Sequence, residues 1–346
     1  MPFYQGLKHD RTLYREGDQA FIAARLLDLR ASLAKRIPDR DLRASLLLGT
    51  WNIRDFDGNK FKQGPRRQES LHYLAEVLAC FDICAVQEVN DDLRSLEKVL
   101  RLMGPSYDFM ATDVTLGDSG NRERLAFVYD TRKVRFRSVV GELVVPDPRG
   151  GSARQIARTP MIAEFQAGWF KFTICTAHIY FGDNSPSSEG YKRRVAEIAT
   201  IAKILAERAE KEDTNYIFLG DFNVISRTDA TFKALEAEGF VIPPELRRSN
   251  MGGDKDYDQI AFRSKEFQKI KAGVFDWREA VFRDADFDYY KTRMTTQDER
   301  GRPVPADKLE DHYHDWRTWQ MSDHLPLWVQ FAIDFSDDYL RSIVTP

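Results

Sequence analysis

The stretch YIFLGDFNVIS, residues 216–226, decides how the chain is interpreted. A short apolar run leads into Gly220, and Asp221 and Asn223 follow with one residue between them. Residues two apart in an extended backbone point to the same side, so this carboxylate and this amide face one spot beyond the strand. The pattern indicates a buried strand that delivers polar groups to a site.

Other apolar runs are bordered by a polar residue in the same way. The residues at these borders are Asn52, Glu88, His178, Asp258, Asp323 and His324. Each one alone is explained by turn formation or helix capping. The set as a whole fits a ligand crevice, which open α/β sheets form beyond the carboxyl ends of their strands.

Helical periodicity alternates with these strands. It predicts helices over residues 20–36, 69–80, 93–103, 189–209 and 228–239. Helices interleaved with buried strands indicate an α/β or α+β domain built around layered sheets, and no linker divides it. Residues 283–321 lack apolar periodicity and contain Pro303 and Pro305, so we expect a long surface loop or insertion there.

Composition limits the class of protein. The net charge of −3 over 346 residues gives no global attraction to nucleic acid, although a local basic rim is sufficient for binding. The three cysteines lie in or beside apolar runs, which indicates reduced thiols in a reducing compartment. The polar N-terminus has no signal-peptide core, and no run approaches the ~18 apolar residues that span a bilayer. We therefore expect a cytoplasmic protein without a membrane span.

The residue types at the strand borders favour phosphate-ester hydrolysis. The oxygen donors suit Mg²⁺, Mn²⁺ or Ca²⁺, and His and Cys are too sparse for a dedicated zinc cage. A cation and nearby arginines neutralise charge that develops on phosphate, a carboxylate activates or aligns water, and a His protonates the leaving oxygen.

Eight motifs then identify a resemblance. They are TWNIRDF (50–56), VQEVNDDL (86–93), GNRERLAF (120–127), ARTP (157–160), TAHIY (176–180), GDFN (220–223), YDQI (257–260) and SDHLP (322–326). In this order they resemble the endonuclease/exonuclease/phosphatase superfamily, most nearly its deoxyribonuclease I type, over about residues 46–335.

The resemblance implies a fold and a domain division. The fold is α/β (α+β): a four-layer α/β sandwich of two packed mixed β-sheets flanked by helices. The family domain would cover residues 44–336 with the insertion at about 283–321. Residues 1–43 would form an N-terminal helical extension, and residues 337–346 a C-terminal tail.

The resemblance also implies a role for each border residue. Asn52 and Glu88 would hold Mg²⁺ or Mn²⁺, with Asp323 as a further ligand or orienter. Two His–carboxylate pairs would act as acid, base or phosphate stabiliser: His178 with Glu123, and His324 with Asp258. Asp221 would align or deprotonate the attacking water, while Asn223 and Arg158 would bind the substrate phosphate.

A metal-dependent DNA endonuclease is the function that these motifs favour, with RNA as a possible substrate. Basic stretches at 60–67, 192–194 and 247–248 support nucleic acid, although short charge runs are also common on surfaces. The deoxyribonuclease residues that enter the minor groove are replaced by Asn90 and Asn121. Two alternatives stay open: a phosphatase or phosphodiesterase acting on phospholipids or small phosphorylated metabolites, and an inactive binding module.

Overall fold

The computed structural model describes residues 2–9, 15–56, 58, 61–116, 121–146 and 155–344. The strands are β1 (Ser45–Phe56), β2 (Ile83–Val89), β3 (Tyr107–Ala111), β4 (Arg124–Asp130), β5 (Arg135–Glu142), β6 (Met161–Ala167), β7 (Phe170–His178), β8 (Asn215–Asp221), β9 (Asp258–Arg263), β10 (Lys269–Val274) and β11 (Leu327–Ala332). The helices are α1 (Gln5–His9), α2 (Asp18–Arg36), α3 (Gln68–Leu78), α4 (Arg94–Met103), α5 (Glu189–Glu212), α6 (Ala230–Glu236), α7 (Phe287–Tyr290), α8 (Leu309–Gln320) and α9 (Ser336–Val344).

Two mixed β-sheets form the centre of the molecule. The 6-stranded sheet has the order β10-β11-β1-β2-β4-β3, and the 5-stranded sheet has the order β5-β6-β7-β8-β9. One apolar core lies between the sheets, and a further core lies between each sheet and its helices. This arrangement confirms the expected sandwich of two sheets flanked by helices.

The alternation of side chains along β1 shows why the layers form. Leu46 and Leu48 point into the core between the sheets, whereas Leu47 and Trp51 point into the core under the helices. All four side chains are buried, so the strand is apolar on both faces. Its sequence is therefore a continuous apolar run rather than an alternating pattern. Burying a leucine side chain fully stabilises the fold by about 1.5–3 kcal/mol.

Parallel pairing brings the polar ends of the strands together. β1 pairs with β2 in parallel, and β7 pairs with β8 in parallel. In the second sheet His178 lies beside Asp221, and Asp221 lies beside Asp258. Gly220 precedes Asp221 at φ 131°, where a Cβ would lie 2.1 Å from a carbonyl oxygen of β7. Only glycine therefore permits this close pairing at the end of β8.

Residues 283–321 do not form the surface loop that their sequence suggests. They contain α7 and α8, and Tyr290, Tyr313 and Trp316 are buried in the core beneath the helices. The expectation of a surface loop was wrong because tyrosine and tryptophan bury large areas without producing an apolar periodicity.

The predicted N-terminal helix packs on this segment. The guanidinium of Arg25 pairs with Asp286 at 2.9 Å, and the rings of Phe21 and Tyr289 stack with centroids 3.6 Å apart. Strand β10 and helices α1 and α9 are further elements that the sequence patterns did not reveal. No helix in the described ranges combines the length and apolarity that crossing a bilayer demands.

Candidate active site

Two His–carboxylate pairs lie on either side of one aspartate. His178 donates from Nδ1 to Glu123 Oε2 at 2.8 Å, and His324 donates from Nδ1 to Asp258 Oδ2 at 2.7 Å. The Nε2 atoms of the two rings face Asp221 Oδ2 at 3.5 Å and 3.6 Å. The structure thus brings together these five predicted residues and confirms both predicted pairings.

The Asp221 carboxylate is buried but well supported. Its Oδ2 atom accepts a hydrogen bond from Asn52 Nδ2 at 3.0 Å, and its Oδ1 atom accepts one from the Asn223 backbone N–H at 2.9 Å. Burial acts to raise the pKa of Asp221. The positive charges of His324 and His178 lower it by more, so the pKa of Asp221 lies below its usual value. Asp221 is therefore ionised and able to accept a hydrogen bond or a proton from water.

The neighbouring carboxylates favour the protonated form of both imidazoles. Burial lowers the pKa of His324, but the charges of Asp258 and Asp221 more than offset it and raise that pKa well above its usual value. Burial and the charge of Arg158 both lower the pKa of His178, and Glu123 and Asp221 reverse the balance so that it is raised overall. Each ring can therefore donate from Nε2 to a phosphoryl or leaving oxygen.

Asn52 and Glu88 provide oxygen atoms suited to a divalent cation. The Asn52 amide nitrogen donates to Glu88 Oε1 at 2.9 Å, which leaves the buried Asn52 Oδ1 without a hydrogen-bond partner. The Glu88 side chain is 24% exposed, and its second oxygen accepts from the backbone N–H of Asp55 at 2.8 Å. An orphaned amide oxygen beside a half-buried carboxylate fits a hard cation such as Mg²⁺ or Mn²⁺.

Asp323 is the expected further metal ligand or orienter, and this role stays a prediction. Its carboxylate lies 3.5 Å from Arg54 Nε, at the rim of the site. Two groups of described residues have ligand atoms close enough to share an ion: Glu88 with Glu123 and His178, and Asp221 with Asp258 and His324. Asp323 belongs to neither group.

Two site residues have backbone angles that are uncommon outside glycine. Glu88 has a φ of 60° and Asn223 a φ of 53°. The Asn223 side chain donates from Nδ2 to the carbonyl of Ile179 at 2.8 Å, which fixes the turn after β8 against the end of β7. Such conformations persist where the surroundings enforce them, and they aim these side chains into the site.

Arg158 lies behind His178 rather than in the open cleft. It is buried, forms an ion pair with Glu123, and donates from Nη1 to the carbonyls of His178 and Ile179 at 3.4 Å. Its guanidinium is thus engaged with the partner of His178, and its contact with a substrate phosphate stays a prediction.

Sequence reasoning missed two residues that hold the His324 side of the site. Ser322 donates from Oγ to the Asn52 carbonyl at 2.6 Å and accepts from the His324 backbone N–H at 2.9 Å. The ring of Tyr257 lies 5.6 Å from the His324 ring. Both lie inside quoted motifs, SDHLP and YDQI, and their places near His324 and Asp258 in the sequence were the available signal.

The basic stretches contribute less positive surface than their sequence suggests. Arg66 is buried and donates to backbone carbonyls, including that of Met321 at 3.2 Å. Arg194 is fully buried and donates to the Asn223 carbonyl at 2.6 Å. These two arginines stabilise loops around the site. Lys60, within the first stretch, lies outside the described residues.

Comparisons with known proteins agree with this geometry. The model of the Endonuclease/Exonuclease/phosphatase family matches residues 49–324. Deoxyribonuclease-1-like 2 of Mus musculus is 28% identical over 229 residues, which cover 62% of this chain and 76% of that protein.

Two solved structures from Bacteroides thetaiotaomicron share the fold. An endonuclease/exonuclease/phosphatase family protein is 18% identical with a TM-score of 0.56, covering 84% of this chain and 98% of that one. A mannosyl-6-phosphatase is 19% identical with a TM-score of 0.54, covering 83% and 99%.

Proposed function

We propose that this chain, which belongs to the endonuclease/exonuclease/phosphatase family, is an endonuclease that cleaves phosphodiester bonds in DNA. Membership in the family makes it a divalent-metal-dependent phosphoesterase, and the choice of DNA is the proposal. The observation that carries it is the position of Asp221, whose Oδ2 atom lies 3.5 Å and 3.6 Å from the Nε2 atoms of His178 and His324. The deoxyribonuclease-type motifs and the similarity to the mouse deoxyribonuclease-like protein support DNA as the substrate.

Each residue of the site has a separate role in in-line hydrolysis. Asp221 orients the attacking water and accepts its proton as the new bond from water oxygen to phosphorus forms. The ester bond on the opposite side breaks, and one of the two imidazolium rings gives its Nε2 proton to the leaving oxygen. The other ring and the Asn223 amide donate hydrogen bonds to the phosphoryl oxygens, where negative charge accumulates.

The metal site and the carboxylate partners complete this arrangement. Asn52 and Glu88 would hold Mg²⁺ or Mn²⁺, and the bound cation supplies positive charge to the phosphate. Glu123 and Asp258 accept from the Nδ1 atoms of His178 and His324, so each ring presents Nε2–H to the substrate. In this orientation the Nε2 atoms of both rings face Asp221.

A second candidate substrate is a small phosphorylated metabolite or a phospholipid headgroup. The burial of Arg66 and Arg194 favours it, because two arginines of the basic stretches do not face solvent. The chemistry at Asp221 would be the same for a phosphomonoester. We also propose a cytoplasmic location, on the ground that Cys80, Cys84 and Cys175 are free thiols.

The test is hydrolysis by the full chain with Mg²⁺ or Mn²⁺, measured on supercoiled plasmid, single-stranded DNA, RNA, phosphomonoesters and phospholipids. We expect cleavage of DNA, and a loss of about 10²–10⁴-fold in His178→Ala. The matched control is His314→Ala, because His314 is 41% exposed and lies beside Asp284 in the 283–321 segment. Activity confined to phosphomonoesters or phospholipids would overturn the nuclease proposal and keep the catalytic assignments.

A further inference from the structure

The loop that follows His178 carries an exposed aromatic ring. Phe181 is 41% exposed and follows His178 by three residues. Three extended residues span at most about 10 Å, which limits the distance between the backbones of Phe181 and His178. An exposed aromatic side chain this close to a catalytic histidine is a surface on which a flat ligand can stack.

A buried arginine supports this ring from beneath. The Arg194 guanidinium lies 5.0 Å from the centre of the Phe181 ring. It donates from Nη1 to the carbonyl of Asn223 at 2.6 Å and from Nη2 to the carbonyl of Asp183. One fully buried cation thus joins the Phe181 loop to the turn that carries a phosphate-binding residue of the site.

The surrounding loop has little freedom to move. Gly182 has a φ of 67°, and a Cβ at this position would lie 2.6 Å from the backbone of Gly190 at the start of α5. The same helix is capped by Ser188, whose Oγ accepts from the Tyr191 backbone N–H at 3.1 Å. Close backbone packing and a capped helix hold the loop in place. The Phe181 ring therefore remains exposed to solvent.

We infer that Phe181 stacks on an unpaired nucleobase next to the scissile phosphate, which makes single-stranded nucleic acid the substrate form that this site selects. A base within a duplex has both faces covered by its neighbours, whereas an unpaired base offers a face to an aromatic side chain. Arg194 acts as a positioning residue that fixes the ring relative to Asn223. This inference rests on the proposed nuclease function and names the form of its substrate.

The experiment separates base stacking from phosphate binding. The full chain and the variants Phe181→Ala and Phe181→Trp are assayed on a single-stranded oligothymidylate and on an abasic oligonucleotide of the same length. Stacking on one base is worth about 1–3 kcal/mol, or roughly 5–150-fold. We expect Phe181→Ala to lose that factor in kcat/KM on oligothymidylate, mainly through KM, with little change on the abasic strand. Phe181→Trp should restore the preference for bases.

Two further variants control for structural effects. Trp169→Ala removes an equally exposed aromatic ring, 49% exposed, at the opposite end of β7, and it should leave both substrates unaffected. Arg194→Lys should reduce the ratio of the rates on the two strands, because lysine cannot reach both carbonyls in a fixed plane.

Three outcomes would overturn the inference. An equal loss on both strands in Phe181→Ala would show a structural role, and no loss on either would show that the ring does not touch the substrate. Cleavage of neither strand by the wild-type chain, together with hydrolysis of phosphomonoesters, would overturn the nuclease proposal as well, so the two failures are distinguishable.

Discussion

The two His–carboxylate pairs look alike along the chain but differ in their surroundings. Glu123 pairs with His178 and also with Arg158, whereas Asp258 forms its one ion pair within the described residues with His324. The first pair therefore has two cations for one carboxylate. The second pair has one cation for one carboxylate, and the Nε2 atoms of both rings face Asp221.

This difference gives the two histidines different tendencies to hold a proton. Arg158 opposes protonation of His178, while Asp258, Asp221 and Asp323 all favour protonation of His324. The surroundings of His324 therefore favour its protonated form more strongly than those of His178 do. The same residue type gains a different proton affinity from different neighbours.

The largest expected consequence is on stability. His324→Asn leaves the buried Asp258 carboxylate without its cation and removes one of the two imidazoles that face Asp221, and losing one partner of a buried pair costs about 3–5 kcal/mol. His178→Asn should cost less, because Glu123 keeps its ion pair with Arg158. Urea unfolding in the presence of a chelator measures both changes. Equal losses in the two variants would contradict the comparison, and His314→Asn provides a surface control.

Metal binding should also distinguish the two pairs. Glu88 Oε1 lies 3.9 Å from His178 Nε2, so a cation held by Asn52 and Glu88 adds positive charge on the His178 side. We expect Glu88→Gln to weaken Mn²⁺ binding by at least about 10-fold, by analogy with substitutions around metal sites. Imidazole NMR signals followed during a Mg²⁺ titration should shift more for His178 than for His324.

A matched variant checks the assignment of the ligands. Asp323→Asn should retain metal affinity, because the Asp323 carboxylate lies against Arg54 and does not share a group of close ligand atoms with Glu88. A loss of affinity in this variant as large as that in Glu88→Gln would restore Asp323 to the metal site.

The smallest expected effect is a shift in pH dependence. Arg158→Met removes a positive charge that opposes protonation of His178, so the pKa of His178 should rise further. Its proton would be retained to higher pH, and the alkaline limb of kcat/KM should move in the same direction. The stability that the raised pKa contributes would be lost at a correspondingly higher pH.

The pH profile has an internal control. The NMR titration of His324 should be unchanged in Arg158→Met, since the cation lies on the other side of Asp221. A shift of both rings by the same amount would show that the two pairs titrate as one system and would remove the distinction between them.

Local patterns in the sequence were sufficient to predict the central residues of the candidate active site. His178 and Asp221 are the last residues of strands buried on both faces, and such strands appear as continuous apolar runs whose ends are easy to see. Asn52 follows the apolar run of β1 but lies inside the strand, where its register with β2 shifts. The family motifs added Glu123 and Asp258 as the partners of the two histidines, and the structure confirms both pairings.

The sequence by itself therefore determined the family, the sandwich of two sheets and the residues that surround Asp221. Only the tertiary structure decided which charges are buried: Arg194 and Arg66 lie inside the molecule, and Arg158 is engaged by Glu123. It also decided that residues 283–321 pack their aromatic side chains against α2. The reason is that strand and helix patterns depend on neighbours a few residues away, whereas the burial of an arginine or an aromatic ring depends on partners that are distant along the chain.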